Sequence, residues 1–243
     1  MIKMSKKNEL KEIIANSNNV VFFGGAGVST ESGIPDFRSE DGIYKTLENY
    51  GAPPEVILSR TYFQTNPRGF YKYYKENLIH QDAKPNDAHL AIAKLESLGK
   101  IKAVITQNID GLHQKAGSEN VLELHGSVLR NYCKNCESSY DLDYIIQSEE
   151  LPTCSCGGLI KPDVVLYEEP LDNNTMNAAV DYIANAETLI IGGTSLVVYP
   201  AAGLIQYFKG ENLVLINKSE TEYDSYANLI INEAIGEVFK EIV

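Results

Sequence analysis

The stretch that most constrains this chain runs from residue 20 to residue 39, Val-Val-Phe-Phe-Gly-Gly-Ala-Gly-Val-Ser-Thr-Glu-Ser-Gly-Ile-Pro-Asp-Phe-Arg-Ser. Its first four residues are β-branched or aromatic and predict a short buried strand. Gly24, Gly25 and Gly27 follow at once, and Val28 to Ser32 read as a first helical turn. Strand, Gly-rich turn and helix start, in that order, aim backbone N–H groups and a helix dipole at a phosphate. Glycine suits the turn because the chain must bend sharply and a Cβ would hold a pyrophosphate away. Two features separate the stretch from the fingerprint of a dehydrogenase. Thr30 stands at the third glycine position, and residues 40–50 contain no second strand ending in a ribose-binding acid. The expectation is a nucleotide site that does not carry a hydride; a turn serving only packing is the alternative. Pro35-Asp36-Phe37-Arg38 favours the site, because it sets an acid, an aromatic and a guanidinium just past the turn.

Beyond this stretch the chain alternates short apolar runs with amphipathic ones. Strands are expected at 101–105, 121–124, 188–191, 213–216 and 229–231, and Lys161 to Tyr167 is read as returning to the same sheet. Helices are expected at 5–17, 86–98, 172–185 and 234–243, with Ser5 and Asn86 as caps and Gly99 as a stop. Strand–helix alternation argues a doubly wound parallel sheet. Residues 40–85 break it. They are rich in Tyr and Phe, with Pro53, Pro54 and Pro67 where short helices would begin, and read as a helical insertion whose aromatics form its core.

Candidate chemistry lies at strand ends. Gln107, Asn108 and Asp110 follow the 101–105 strand, His125 follows 121–124, and Gly192-Gly193-Thr194-Ser195 is a second Gly-rich turn. Polar groups at the carboxyl ends of parallel strands lie on the ligand edge of such a sheet. Turn-forming roles for Gln107, Asn108 and Asp110, and a structural role for His125, are the alternatives. Cys133-x2-Cys136 and Cys154-x-Cys156 read as a four-cysteine zinc ribbon, with a redox pair as the alternative. Four thiolates leave no open position, so the zinc is expected to be structural. A net charge of −12 argues against nucleic-acid or anionic-membrane partners and, with the sparse Lys and Arg around the ribbon, against the rival reading of a zinc-ribbon module that binds nucleic acid. It suits a basic partner such as a lysine-bearing segment; a charge serving only solubility is the alternative. No signal peptide or transmembrane run is seen, and clustered cysteines fit a reducing compartment, so a cytoplasmic location is expected.

From about residue 20 to the end, the chain resembles the sirtuin family of NAD-dependent protein-lysine deacylases. The resemblance rests on Gly25-Ala26-Gly27-Val28-Ser29, Gly33-Ile34-Pro35-Asp36-Phe37-Arg38, Thr106-Gln107-Asn108-Ile109-Asp110-Gly111-Leu112-His113, His125-Gly126, the four cysteines, Lys161-Pro162-Asp163-Val164-Val165, Gly193-Thr194-Ser195-Leu196-Val197-Val198 and Ile216-Asn217-Lys218. It implies a Rossmann-like α/β domain of residues 1–39, 86–125 and 161–243. A smaller domain would combine the helical insertion 40–85 with the zinc ribbon 126–160. NAD, consumed as co-substrate, and an acyl-lysine peptide or protein would meet between them. The resemblance assigns NAD to Gly25, Ala26, Gly27, Ser29, Thr30, Asp36, Phe37, Arg38, Gln107, Asn108, Ile109, Asp110, His125, Gly193, Thr194, Ser195, Asn217, Lys218 and Ile235. It assigns the peptide to Val164, Val165, Leu166, Tyr167 and Val198. His125 would be the general base, acting through a ribose hydroxyl, and Phe37 would shield the intermediate. The implied products are free lysine, nicotinamide and 2′-O-acyl-ADP-ribose; an ADP-ribosyltransferase or NAD hydrolase is the rival. Two positions depart from the family pattern: Gly24 replaces a usual Thr, and Glu168 replaces a usual loop glycine. No Tyr-x-x-Arg lies in 52–65 to pair a succinyl carboxylate, so a neutral acyl group, acetyl or longer, is expected.

Overall fold

The computed structural model describes residues 5–36 and 46–243. Phe37 and Arg38 therefore lie outside the described residues. Strands β1 (Val20–Gly24), β2 (Ile101–Thr106) and β3 (Val121–Glu123) are followed by β4 (Gly126–Cys133), β5 (Ser139–Tyr140) and β6 (Ile160–Val164), then by β7 (Thr188–Gly192), β8 (Asn212–Ile216) and β9 (Leu229–Ile231). Six form one sheet in the order β3-β2-β1-β7-β8-β9, and every pairing in it is parallel. The chain starts in the middle, winds one way to β3, then resumes beside β1 at β7 and winds the other way. That is the Rossmann-type order, and it opens a ligand crevice where the direction reverses. Here the reversal lies between β1 and β7, whose last residues, Gly24 and Gly192, pair with each other.

β1 shows why the sheet is buried on both sides. Val20 and Phe22 enter one apolar layer, with Leu10 and Ile14 of the first helix, Ile92 and Leu95 of Asp87–Ser97, and Val238 and Phe239 of Ile235–Lys240. Val21 and Phe23 enter the other, with Ala179 and Ile183 of Asn173–Asn185 and with Leu204 and Ile205. Successive side chains on a strand point to opposite faces, so an unbroken apolar run is what a doubly covered strand requires. The helix starts follow local capping: Ser5 accepts from Asn8 N–H, Asn86 from Ala88 N–H, and Asp172 from Thr175 N–H.

A second sheet, β5-β4-β6, is antiparallel. This corrects the reading of 161–167 as part of the parallel sheet. β6 pairs with β4 through Cys133–Ile160 and Gly126–Val164. Ile160-Lys161-Pro162-Asp163-Val164 is a short strand of mixed character, and nothing in so short a segment says which sheet it joins. Gly126 permits the approach: its φ is +74°, and a Cβ there would lie 1.9 Å from Asp163 O.

The insertion is helical at Pro54–Ile57, Arg60–Thr65 and Pro67–Asn77, with residues 46–50 also helical. Pro54 and Pro67 occupy first-turn positions, as expected. Phe63, Phe70, Tyr71, Tyr73 and Tyr74 are buried and form one core with Cys133, Ile145, Cys154 and Ile160. The aromatics are therefore core, and that core also joins the helices to the cysteine ribbon. Tyr71 Oη donates to the Ile160 carbonyl, joining the two across the core.

Candidate active site at the switch point

The two Gly-rich turns face each other across the β1–β7 reversal. Gly27 N–H donates to Gly193 O at 2.8 Å and Gly25 N–H to Gly192 O at 3.3 Å. A Cβ on Gly27 would lie 2.7 Å from Gly193 Cα, and one on Gly193 would lie 2.4 Å from Val28 N. No larger residue fits at position 27 or 193. The expected helix start after the first turn is instead two three-residue 3-10 turns, Ala26–Val28 and Thr30–Ser32, stopped by Gly33 at φ +83°. The N–H groups of Gly25 and Gly27 bind the opposite turn, so they are not the phosphate donors that the sequence suggested.

Two cavities flank these turns and share Ala26, Gln107 and Val198 in their walls. The first, about 290 Å³, is lined by Ala26, Gly27, Thr30, Asp36, Gly193, Thr194, Ser195, Asn217, Lys218 and Ile235. The second, about 220 Å³, is lined by Ser29, Asn108, Ile109, Asp110 and His125, and by Val164, Val165, Leu166, Tyr167 and Val198. All the expected NAD and peptide residues among those described thus line these two adjoining cavities, except Gly25. Gly25 lies beneath them, where a Cβ would lie 2.7 Å from that of Thr194. The second cavity also takes Ile34, Leu58, Leu78 and Leu171. Sequence reading missed these, because an apolar residue lining a cavity carries the same signal as one in the core.

Hydrogen bonds hold the polar side of the crevice rigid. Ser29 Oγ donates to Asp110 Oδ2 at 2.7 Å and accepts from Asn108 Nδ2 at 3.0 Å. Asn108 Nδ2 also donates to Gly25 O at 3.0 Å, and Leu112 N–H donates to Asp110 Oδ1 at 2.9 Å. Gln107 Nε2 donates to Thr194 Oγ1 at 3.3 Å, tying the 106–110 loop to the second glycine turn. His125 is half-buried, and its Nδ1 lies 2.9 Å from Gln107 O. A carbonyl can only accept, so Nδ1 carries the proton, and in the neutral ring Nε2 is the basic nitrogen.

Behind this loop lie two further histidines. His89 and His113 are fully buried with ring centroids 4.7 Å apart. Burial pushes His113 down to about 3, with His89 adding repulsion. Burial likewise pushes His89 down to about 4, against an opposing pull from Asp110. Both are therefore neutral at physiological pH, and they pack the loop rather than charge it.

The Val164–Glu169 wall departs from the family pattern at Glu168. Its φ is +72°, a conformation costing a non-glycine residue roughly 1 kcal/mol. Its carboxylate accepts from Thr61 N–H at 2.9 Å and Thr61 Oγ1 at 2.6 Å, which offsets that cost.

The four cysteine sulfurs lie within 4.8 Å of one another, and none forms a disulfide. Cys133 Sγ and Cys156 Sγ are 3.5 Å apart, as are those of Cys136 and Cys154. Four thiolates around a zinc at about 2.3 Å would be separated by about 3.8 Å, so the cluster fits a structural zinc. Asn135 N–H donates to Cys133 Sγ at 3.4 Å, as a thiolate ligand in a knuckle would accept.

A doubly wound sheet with opposed glycine turns at its switch point, a basic histidine in the crevice and a four-cysteine ribbon defines a nucleotide-dependent enzyme of the Rossmann class. The Sir2 family model matches residues 25–200, and the chain belongs to that family. It is 62% identical over 240 residues to an NAD-dependent protein deacetylase of Clostridium perfringens, covering 98% of each chain. It is 59% identical over 245 residues to one of Clostridium acetobutylicum, covering 100% of each. Among solved structures, a Sir2–p53 peptide–NAD+ complex matches with a TM-score of 0.87 and 39% identity, over 98% of this chain and 97% of that one. A Sir2 structure bound to a propionylated peptide matches with a TM-score of 0.86 and 39% identity, over 98% and 97%.

Proposed function

We propose that this protein is an NAD-dependent protein-lysine deacylase that takes a neutral acyl group, acetyl by default, and releases nicotinamide and 2′-O-acyl-ADP-ribose. The observation that carries the reading is His125, its Nδ1–H fixed on Gln107 O, standing in the crevice wall beside both Asp110 and Val164. NAD, once bound, supplies an activated glycosidic carbon that the acyl oxygen can capture when nicotinamide leaves.

The chain's own residues divide the remaining work. Ala26, Gly27, Thr30, Gly193, Thr194, Ser195, Asn217, Lys218 and Ile235 hold the ADP-ribose half, with Gly25 supporting them from beneath, and Ser29 stands with Asn108 and Asp110 in the second cavity. Asp36 belongs to the wall of the first cavity, and Phe37 and Arg38 are assigned by sequence alone. Gln107 takes the ribose; Asn108, Ile109 and Asp110 take the nicotinamide end. Val164, Val165, Leu166, Tyr167 and Val198 receive the peptide. His125 Nε2 accepts a proton from a ribose hydroxyl, which then attacks the captured acyl carbon. The apolar residues Ile34, Leu58 and Leu166 exclude water there. Cys133, Cys136, Cys154 and Cys156 would hold a structural zinc and take no part in the chemistry.

On this reading the nucleotide domain is 1–39, 86–125 and the chain beyond β6. The small domain is 40–85 with the ribbon 126–160, extended through β6. No helix among the described residues is long and apolar enough to cross a membrane, and thiolate zinc ligands suit the reducing cytoplasm, where we place the protein. Incubation with NAD and a panel of acyl-lysine peptides, with products identified by mass, tests the reading. Acyl-ADP-ribose and free lysine are expected. ADP-ribosylated protein, or ADP-ribose without peptide deacylation, would replace it with a transferase or hydrolase.

A further inference from the structure

The wall that receives the peptide hangs from an ion pair, buried at its lysine end and half-buried at its carboxylate, with no assigned role. Lys161, in β6, is only 5% exposed. Its Nζ donates to Val164 O at 2.9 Å and Pro162 O at 3.3 Å, and lies 3.0 Å from Glu169 Oε2. Those contacts engage all three ammonium protons. Glu169 Oε2 in turn accepts from Leu166 N–H at 2.9 Å. Burial lowers the Lys161 pKa, and Glu169 opposes that shift.

The backbone of the wall is otherwise tied at nearly every donor. Val165 N–H donates to His125 O, Tyr167 N–H to Leu58 O, and Glu169 N–H to Leu166 O, each at 3.0 Å. Residues 164–169 all line the second cavity. The ion pair lies within the segment and binds its carbonyls at 162 and 164 and its amide at 166. Taking the lysine charge out of water costs several kcal/mol, and apolar replacements for pairs with a buried member are often equally stable. Stability alone therefore gives no reason for the pair, whereas the shape of the wall does.

We propose that Lys161 and Glu169 are positioning residues that hold the Val164–Glu169 wall in the conformation against which an acyl-lysine peptide docks. The inference rests on the deacylase reading for the identity of the peptide. It predicts that Lys161→Met raises the peptide Kd and KM about tenfold or more, the loss expected when hydrogen bonds from a charged donor go. The ADP-ribose Kd should stay within about twofold, since none of these residues lines the first cavity.

The double variant Lys161→Met/Glu169→Gln separates shape from stability. It removes the half-buried carboxylate that Lys161→Met leaves without its cation, so thermal stability should return most of the way to wild type. Peptide affinity should remain weak, because nothing then binds the carbonyls at 162 and 164. Anisotropy of a labelled acetyl-lysine peptide reads this without turnover. Recovery of peptide affinity together with stability in the double variant would overturn the proposal, as would an unchanged peptide Kd in Lys161→Met. Absence of acyl-ADP-ribose from the wild-type enzyme would strike the deacylase reading instead.

Discussion

Gly193→Ala tests the opposed glycine turns most sharply, and Gly99→Ala is its natural control. Both glycines have positive φ, +59° and +71°. An alanine at either should cost about 1–2 kcal/mol of stability, or roughly 2–8 °C of melting temperature for a chain of this size. At Gly99 nothing lies within 4 Å of the new Cβ, so strain is the whole effect. At Gly193 the Cβ falls 2.4 Å from Val28 N and 2.6 Å from Gly27 C, both backbone. Neither can move aside as a side-chain tip could. The turns must part, breaking the 2.8 Å bond from Gly27 N–H to Gly193 O at a net cost of about 0.5–1.5 kcal/mol beyond the contact itself. NAD that binds only to closed turns must overcome that cost, so its affinity should fall about two- to twelvefold for the lost hydrogen bond alone, and further for the contact. Calorimetric titration with NAD and with ADP-ribose, beside thermal melts, measures both quantities. Equal NAD affinity in Gly193→Ala and Gly99→Ala would refute the claim that the turns form the nucleotide cradle.

Removing the metal should be felt in the fold before the chemistry. Cys133 and Cys154 belong to the same core as Phe63, Phe70 and Tyr74. Cys133→Ala or a strong chelator should therefore lower the melting temperature and expose tyrosine, with activity lost in parallel. Metal analysis giving no zinc in the purified protein, or chelation that leaves the melt unchanged, would contradict this. Acid should destabilise the protein through the buried histidines. Their folded pKa values, about 3 and about 4, lie below the unfolded value. The unfolded chain then binds more protons, so the contribution is complete above about pH 6.5 and lost as pH falls toward 4, at up to about 1.4 kcal/mol per pH unit for each ring. Urea midpoints for wild type and His113→Phe between pH 7 and 5 should show a shallower slope in the variant; identical slopes would sink the assignment.

Much of this architecture can be read along the chain, for identifiable reasons. Val20 to Phe23 and the glycines after them are legible because a doubly covered strand and a close turn each permit few residue types. The cysteine spacing is legible because metal geometry restricts it. His125, Asn108 and Asp110 stand out as polar groups at strand ends. Other features leave no such mark. Ile160 to Val164 could join either sheet, since a five-residue strand of mixed character does not declare its partner. The segment after Gly27 closes as 3-10 turns because Gly25 and Gly27 spend their N–H groups on the opposite turn, a tertiary contact. Leu58 and Leu78 reach the cavity from the helical insertion, and their sequence pattern is that of core residues. Glu168 adopts positive φ because Thr61, 107 residues earlier in sequence, binds its carboxylate.

The central claim is that this crevice couples lysine deacylation to cleavage of NAD with His125 as the base. One quenched-flow measurement addresses it: nicotinamide, deacylated peptide and acyl-ADP-ribose counted in the same reaction, for wild type and His125→Ala. The account predicts equal amounts of the three products from wild type. It predicts a loss of acyl-ADP-ribose formation of about 100-fold or more in the variant, the scale of general-base catalysis, with ADP-ribose still bound. Nicotinamide released without matching acyl-ADP-ribose, or a variant that turns over at near the wild-type rate, would contradict it.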